Sequence, residues 1–101
     1  MRVDTFSYLW LVIGSVADEI TTRIGLTFPG VYEANEFARE LMGKGLWLAY
    51  DISLVALSII GVSCFYKIID KRYRDVILLY PILLGTFRLT AAIWNIIIIL
   101  L

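Results

Sequence analysis

Histidine is absent from the sequence, and cysteine occurs once, at Cys64. Without histidine there is no Ser-His or Cys-His nucleophile pair, and most zinc chemistry is out of reach. No side chain has an ordinary titration midpoint near neutral pH. A single cysteine forms neither an internal disulfide nor a thiolate metal cluster, and its simplest place is a small apolar position in a core. Net charge is lacking too. Nine acidic residues offset nine basic ones, so no bulk field points to nucleic acid or to an acidic partner. No phosphate-binding glycine loop or metal-ligand spacing occurs, and neither a metal nor a cofactor is expected.

What the sequence has in excess is apolar residues, at 60% of the chain, against about 45–50% in a soluble domain. They fall in long runs. Crossing about 30 Å of hydrocarbon takes roughly 20 helical residues, and three segments reach that length: about 5–26, 46–66 and 76–101. The expected fold is an all-α membrane protein, a single domain of three transmembrane helices plus a short surface helix. The first run includes a small-x-small triplet, Ser15-Val16-Ala17, of the kind found at signal cleavage sites. Its apolar character resumes through Ile20, Ile24 and Leu26, so it reads as a span rather than a cleaved leader. The third run holds 16 residues of Ile, Leu, Val and Phe. At roughly −0.3 to −0.6 kcal/mol each, these outweigh one central arginine at about +3 kcal/mol. Pro81 lies far enough inside this helix to remove a backbone hydrogen bond and kink it.

The connector between the first two runs is polar. Pro29-Gly30 supplies turn chemistry, and residues 36–42 read as a short amphipathic helix along the membrane surface. Asn35 is its natural N-cap and Glu36 suits its first turn; Gly43 and Gly45 end it. The second connector, 67–75, carries Lys67, Lys71, Arg72 and Arg74 against Asp70 and Asp75. The positive-inside rule puts this loop in the cytoplasm of a cell-membrane protein, with the N-terminus inside and the C-terminus outside.

Each run carries a stripe of small or polar residues at steps of three and four, which keeps them on one helical face. The stripes are Ser7, Leu11, Gly14, Asp18, Thr21 and Gly25; Trp47, Asp51, Leu54, Ser58, Gly61 and Phe65; and Pro81, Gly85, Arg88, Ala92 and Asn95. Small residues let helix backbones approach closely in lipid. Asp18 and Arg88 each lie about 20 Å along their helices from the inner side, and Asp51 about 24 Å, at 1.5 Å per residue. A charge at that depth needs a partner. Arg88 is therefore expected to pair with Asp18, Asp51 or both, since its fork can bridge two carboxylates. Asn95, Thr21, Thr22 and Tyr50 are placed to complete the hydrogen bonding. Glu19 points elsewhere, toward Arg23 near the interface, and Glu19, Glu33 and Asn35 are outer-face contributors. The cluster reads as a salt bridge that fixes helix pairing, with a proton, cation or small polar ligand site as the other reading.

The order D-x-x-T in the first run (Asp18 to Thr21, with Thr22), then E-x-N (Glu33, Asn35) opening a surface helix, a span, a basic loop and a last polar helix resembles a family of small, uncharacterised prokaryotic three-helix membrane proteins. The resemblance covers most of residues 8–101. Two departures stand out. Glu36 occupies the place of the family's proline after E-x-N, and Asp51 stands where the family tends to carry a lysine, leaving Arg88 to supply the positive charge. The resemblance implies a topology and a site, and no reaction.

Enzyme activity is not expected. A rhomboid-type protease needs histidine, and the G-x-G-D signature of intramembrane aspartyl proteases is missing around Asp18 and Asp51. The leading reading is an accessory or structural subunit in a membrane assembly. Its partners would be the lipid bilayer and other membrane subunits or further copies of itself, and no nucleic acid. The alternative is a homo-oligomeric ion- or proton-linked transporter or channel that uses Asp18 and Asp51.

Overall fold

The computed structural model describes residues 2–101 and, among them, is all-helical. Helix α1 spans Val3–Gly25, α2 Glu36–Gly43, α3 Trp47–Ile68 and α4 Arg74–Leu100, with a 3₁₀ turn at Lys71–Tyr73 ahead of α4. Asp4 sits in the first turn of α1 and pairs with Arg2 at 2.8 Å, the favourable end of the helix for an acid. After Gly25 the chain turns through Thr27 and Phe28, whose amides donate to Ile24 and Gly25 carbonyls. Gly30 then takes a φ of 82°, a conformation that an L side chain resists. Asn35 caps α2 as expected, its side chain accepting from the Phe37 and Ala38 amides at 3.0 and 3.2 Å. Gly45, at φ 72°, reverses the chain into α3. The helix α4 continues through Pro81, which is buried.

The helices α1 and α4 run side by side in the same direction. Ser7 donates to the Leu78 carbonyl at 3.3 Å, Gly14 meets Gly85, and Asn95 reaches Thr22 at 3.0 Å. Most of the core lies in this pair: Ser7, Leu11 and Gly14 from α1 against Leu78, Pro81, Gly85 and Ala92 from α4. These are mostly the stripe positions expected of both helices. The contact is unusually close. A Cβ built on Gly14 would overlap the Gly85 carbonyl oxygen, and one on Gly85 would lie 2.8 Å from the Trp10 carbonyl oxygen. Glycine at both positions is what lets the two backbones touch. Trp10 also donates from its indole to Thr86 at 3.0 Å, bracing the same crossing from the side.

Helix α3 runs the opposite way and is held more loosely. Only Asp51 and Val62 are buried in it, and Ser63 donates to the Tyr8 hydroxyl at 3.0 Å. Its expected stripe is corrected here. Leu54, Gly61 and Phe65 face outward, and nothing lies within 4 Å of a Cβ on Gly61. The inward face instead follows Asp51, Val55, Ser58 and Val62, a phase that begins with a step of four rather than three. Cys64, expected in a core, is exposed on this helix.

Fewer helices than expected qualify as spans by hydropathy. Two segments, Trp47–Ile68 and Lys71–Leu100, are long and apolar enough to cross a membrane by length and composition. The helix α1 has the length, at 23 residues, but Asp18, Glu19 and Arg23 fall within its final turns and dilute its apolar character. Its outward face is nonetheless apolar, with Phe6, Leu9, Val12, Ile13, Val16, Ile20 and Ile24 all exposed.

Candidate functional site

Three helices converge on one guanidinium. The side chain of Arg88 donates from Nε to Asp18 Oδ2 at 2.7 Å, and from Nη1 and Nη2 to the two oxygens of Asp51 at 2.6 and 2.8 Å. Of the arrangements open to it, Arg88 adopts the one that engages both acids. The pairing with Asp51 is fork to fork, the strongest geometry available to these groups. It places Asp51 among the few buried polar residues, 5% exposed. The position follows from the sequence: Asp18 is one turn past Gly14 on the packing face of α1, and Arg88 is one turn past Gly85 on that of α4. The tight glycine crossing therefore brings them within reach before any electrostatic preference is considered.

A second shelf of hydrogen bonds lies one to two turns further along. The Nδ2 of Asn95 donates to Thr21 and Thr22 hydroxyls, each at 3.0 Å, with Asp18 Oδ1 at 3.4 Å. Thr22 in turn donates to that same Asp18 oxygen at 3.4 Å, and Thr21 donates back to the Ala17 carbonyl at 2.8 Å. The second oxygen of Asp18 is thus held by Thr22, one turn on in its own helix, while the threonine of D-x-x-T, Thr21, bonds backbone carbonyls and accepts from Asn95.

The acids outside the pair arrange themselves around it. Glu19 meets Arg23 at 2.9 Å, and its other oxygen accepts from the Trp47 indole at 3.0 Å. That second contact ties α1 to the start of α3, and no sequence spacing marks it, because the two residues lie 28 positions apart. Glu33 borders the space beside the cluster. Its Oε1 accepts from the Asn35 amide at 3.1 Å, and its side chain lines a cavity of about 310 Å³ together with Asp18, Glu19, Asn35, Ala38, Trp47, Asp51, Arg88 and Asn95. Tyr50, expected to join the network, instead packs edge-on against Phe37, ring centres 5.2 Å apart, and beside Trp47 at 5.9 Å. The cavity therefore has Asp18, Glu19, Glu33 and Asp51 in its wall and the single cation Arg88. Among the described residues no three His, Cys, Asp or Glu side chains converge as a metal site requires.

Residues 9–101 match the family model described as a domain of unknown function, DUF5658. The chain belongs to this family. Both the charged layer and the cavity above it lie within the DUF5658 match. A protein of an archaeal virus (isolate Australia/Victoria), ORF13, is 29% identical over 85 residues, which cover 83% of this chain and 81% of that protein. Its name describes it as a transmembrane protein. No solved structure matches this DUF5658 chain. The all-helical architecture, the two apolar spans and the relative's description are those of a membrane protein.

Proposed function

We propose that the chain crosses the membrane three times, N-terminus in the cytoplasm and C-terminus outside, and serves as an accessory or structural subunit of a membrane assembly. On this reading α1 is the third span. Its acids need not be counted as free charges: Asp18 is taken up by Arg88, and Glu19 by Arg23 and Trp47. The observation that carries the structural role is Arg88 joined to both aspartates at once. A site built to bind or release a proton or ion keeps a carboxylate available; here both aspartates of the layer are committed to one guanidinium. Charges engaged in this way fix which helices meet and in what register.

The assembly part of the reading is supported by α3. Its outward surface is bordered by two apolar grooves, one against α1 lined by Val12, Val16, Ile52 and Val55, the other against α4 lined by Leu57, Gly61, Phe65 and Tyr80. Helices in lipid associate by close packing, and grooves of this kind accept neighbouring helices. The test is purification of the native protein in a mild detergent. Larger, unrelated membrane subunits are expected to accompany it, and recovery of a pure self-oligomer would overturn the role.

One observation favours a second reading, a proton- or cation-linked transporter working as a homo-oligomer. The cavity over the charged layer has more acids in its wall than Arg88 can neutralise, and no cation partners Glu33 among the described residues. Reconstituted in proteoliposomes, a transporter of this kind would show pH-dependent flux that Asp18→Asn or Glu33→Gln abolishes. Flux that is absent, or untouched by either change, removes this reading.

A further inference from the structure

The cations of this chain divide by what they are paired with. Arg2, Arg23, Lys44, Arg72 and Arg88 each meet a carboxylate. Among the described residues, the cations that meet none are Arg39, Lys67, Lys71 and Arg74, and three of these four fall at the α3–α4 junction, from the last turn of α3 to the first residue of α4. Asp70 does not neutralise them: it caps the 3₁₀ turn through the Arg72 amide and pairs with Arg72 itself; Asp75, exposed in the first turn of α4, pairs with none of the three. Lys71 and Arg74 are three residues apart in continuous helical structure, so they share a face. Lys67 is in the last turn of α3 and exposed. The guanidinium of Arg74 lies 5.1 Å above the Tyr66 ring, and its Nε is a buried donor with no hydrogen-bond partner.

We infer that this turn is a binding site for the phosphate of an anionic phospholipid headgroup, held by Lys67, Lys71 and Arg74. The inference rests on the membrane reading above. The turn connects the two segments that are long and apolar enough to cross a membrane, which puts it at the level where headgroups lie. Tyr66 immediately precedes it and Tyr73 lies within it, the aromatic type that settles at that level. Clustered basic residues beside a span attract anionic lipid, and arginine presents a fork that matches phosphate oxygens. A zwitterionic headgroup offers the same phosphate but carries its own cation, which these three side chains repel. The site therefore selects net negative charge.

The experiment uses the full chain extracted from membranes in mild detergent. Phosphatidylglycerol or phosphatidylcholine is added, and retained lipid is counted by native mass spectrometry. Phosphatidylglycerol is expected to be retained preferentially. Retention should fall about fivefold for each charge removed in Lys67→Gln, Lys71→Gln and Arg74→Gln, and stay unchanged in Arg39→Gln at the other end of the molecule. Inorganic phosphate at millimolar concentration should fail to displace the lipid. Equal retention of the two lipids, an unaffected triple variant, or displacement by free phosphate would each overturn the inference. A chain that is recovered without detergent would instead overturn the membrane reading on which it rests.

Discussion

Gly14 and Gly85 meet backbone to backbone, and neither has room for a methyl group: a Cβ on either would overlap or crowd main-chain atoms of the opposite helix. The two charged side chains one turn further on, Asp18 and Arg88, depend on that approach for their 2.7 Å contact. Packing and electrostatics are therefore one feature of the α1–α4 pair.

Substitution of these glycines separates them from the third glycine of similar appearance. Gly14→Ala and Gly85→Ala are expected to destabilise the fold by about 1–3 kcal/mol, the usual cost of overpacking a close contact. Gly61→Ala meets nothing within 4 Å and is expected to be neutral or to gain up to about 1 kcal/mol from helix propensity. Unfolding of the purified variants in mixed detergent measures the difference, and equal losses at all three positions would contradict the arrangement.

The contrast also marks how much could be read from the chain alone. The stripes of α1 and α4 were legible because small and polar residues interrupt apolar ones at regular steps, which fixes the phase of each helix. In α3 the neighbours of Asp51 are apolar on most sides. Leu54 and Val55 are equally suited to a buried or a lipid-facing place, and the step of three or four after Asp51 has no marker. The common depth of Asp18, Asp51 and Arg88 was countable, since helical rise is fixed. The bond from Trp47 to Glu19 was not, because it joins two helices across a connector whose path no local pattern specifies. By hydropathy the first run falls short of the other two, because Asp18, Glu19 and Arg23 crowd its end. Whether those charges weigh against a span depends on their partners, which a window of sequence does not record.

Loss of Arg88 leaves two carboxylates facing each other without a cation. Arg88→Leu is expected to cost about 3–5 kcal/mol, the range for breaking a buried pair on one side. Arg88→Lys should lose much of this too, since an ammonium cannot make the bidentate contact with Asp51 and reach Asp18 together. Combining Arg88→Gln with Asp18→Asn and Asp51→Asn should restore a large part of the stability. Losses in a double-mutant cycle of Arg88 and Asp51 that simply add would exclude the pairing.

The connector offers a local test. Asn35→Ala removes the acceptor for the Phe37 and Ala38 amides, and an N-cap of this kind is worth about 1 kcal/mol. Faster hydrogen exchange is expected in α2, while α1 and α4 keep their protection. Ala38 is buried against the cavity that Glu33 lines, so opening α2 should also raise solvent access to Glu33. Uniformly faster exchange throughout the chain would instead make the cap part of the global fold.

The partners of the charged layer are separated by 70 and 37 positions, and this spacing orders events during synthesis. A ribosome delivers Asp18 and then Asp51 well before Arg88, so both acids must wait without their cation while the polypeptide is still growing. On the three-span proposal, stable residence of α1 in lipid would then be decided by α4. A chain cut short before α4 should be handled by the cell as an unfinished product, cleared or held at the insertion machinery, even though most of its residues have already been made.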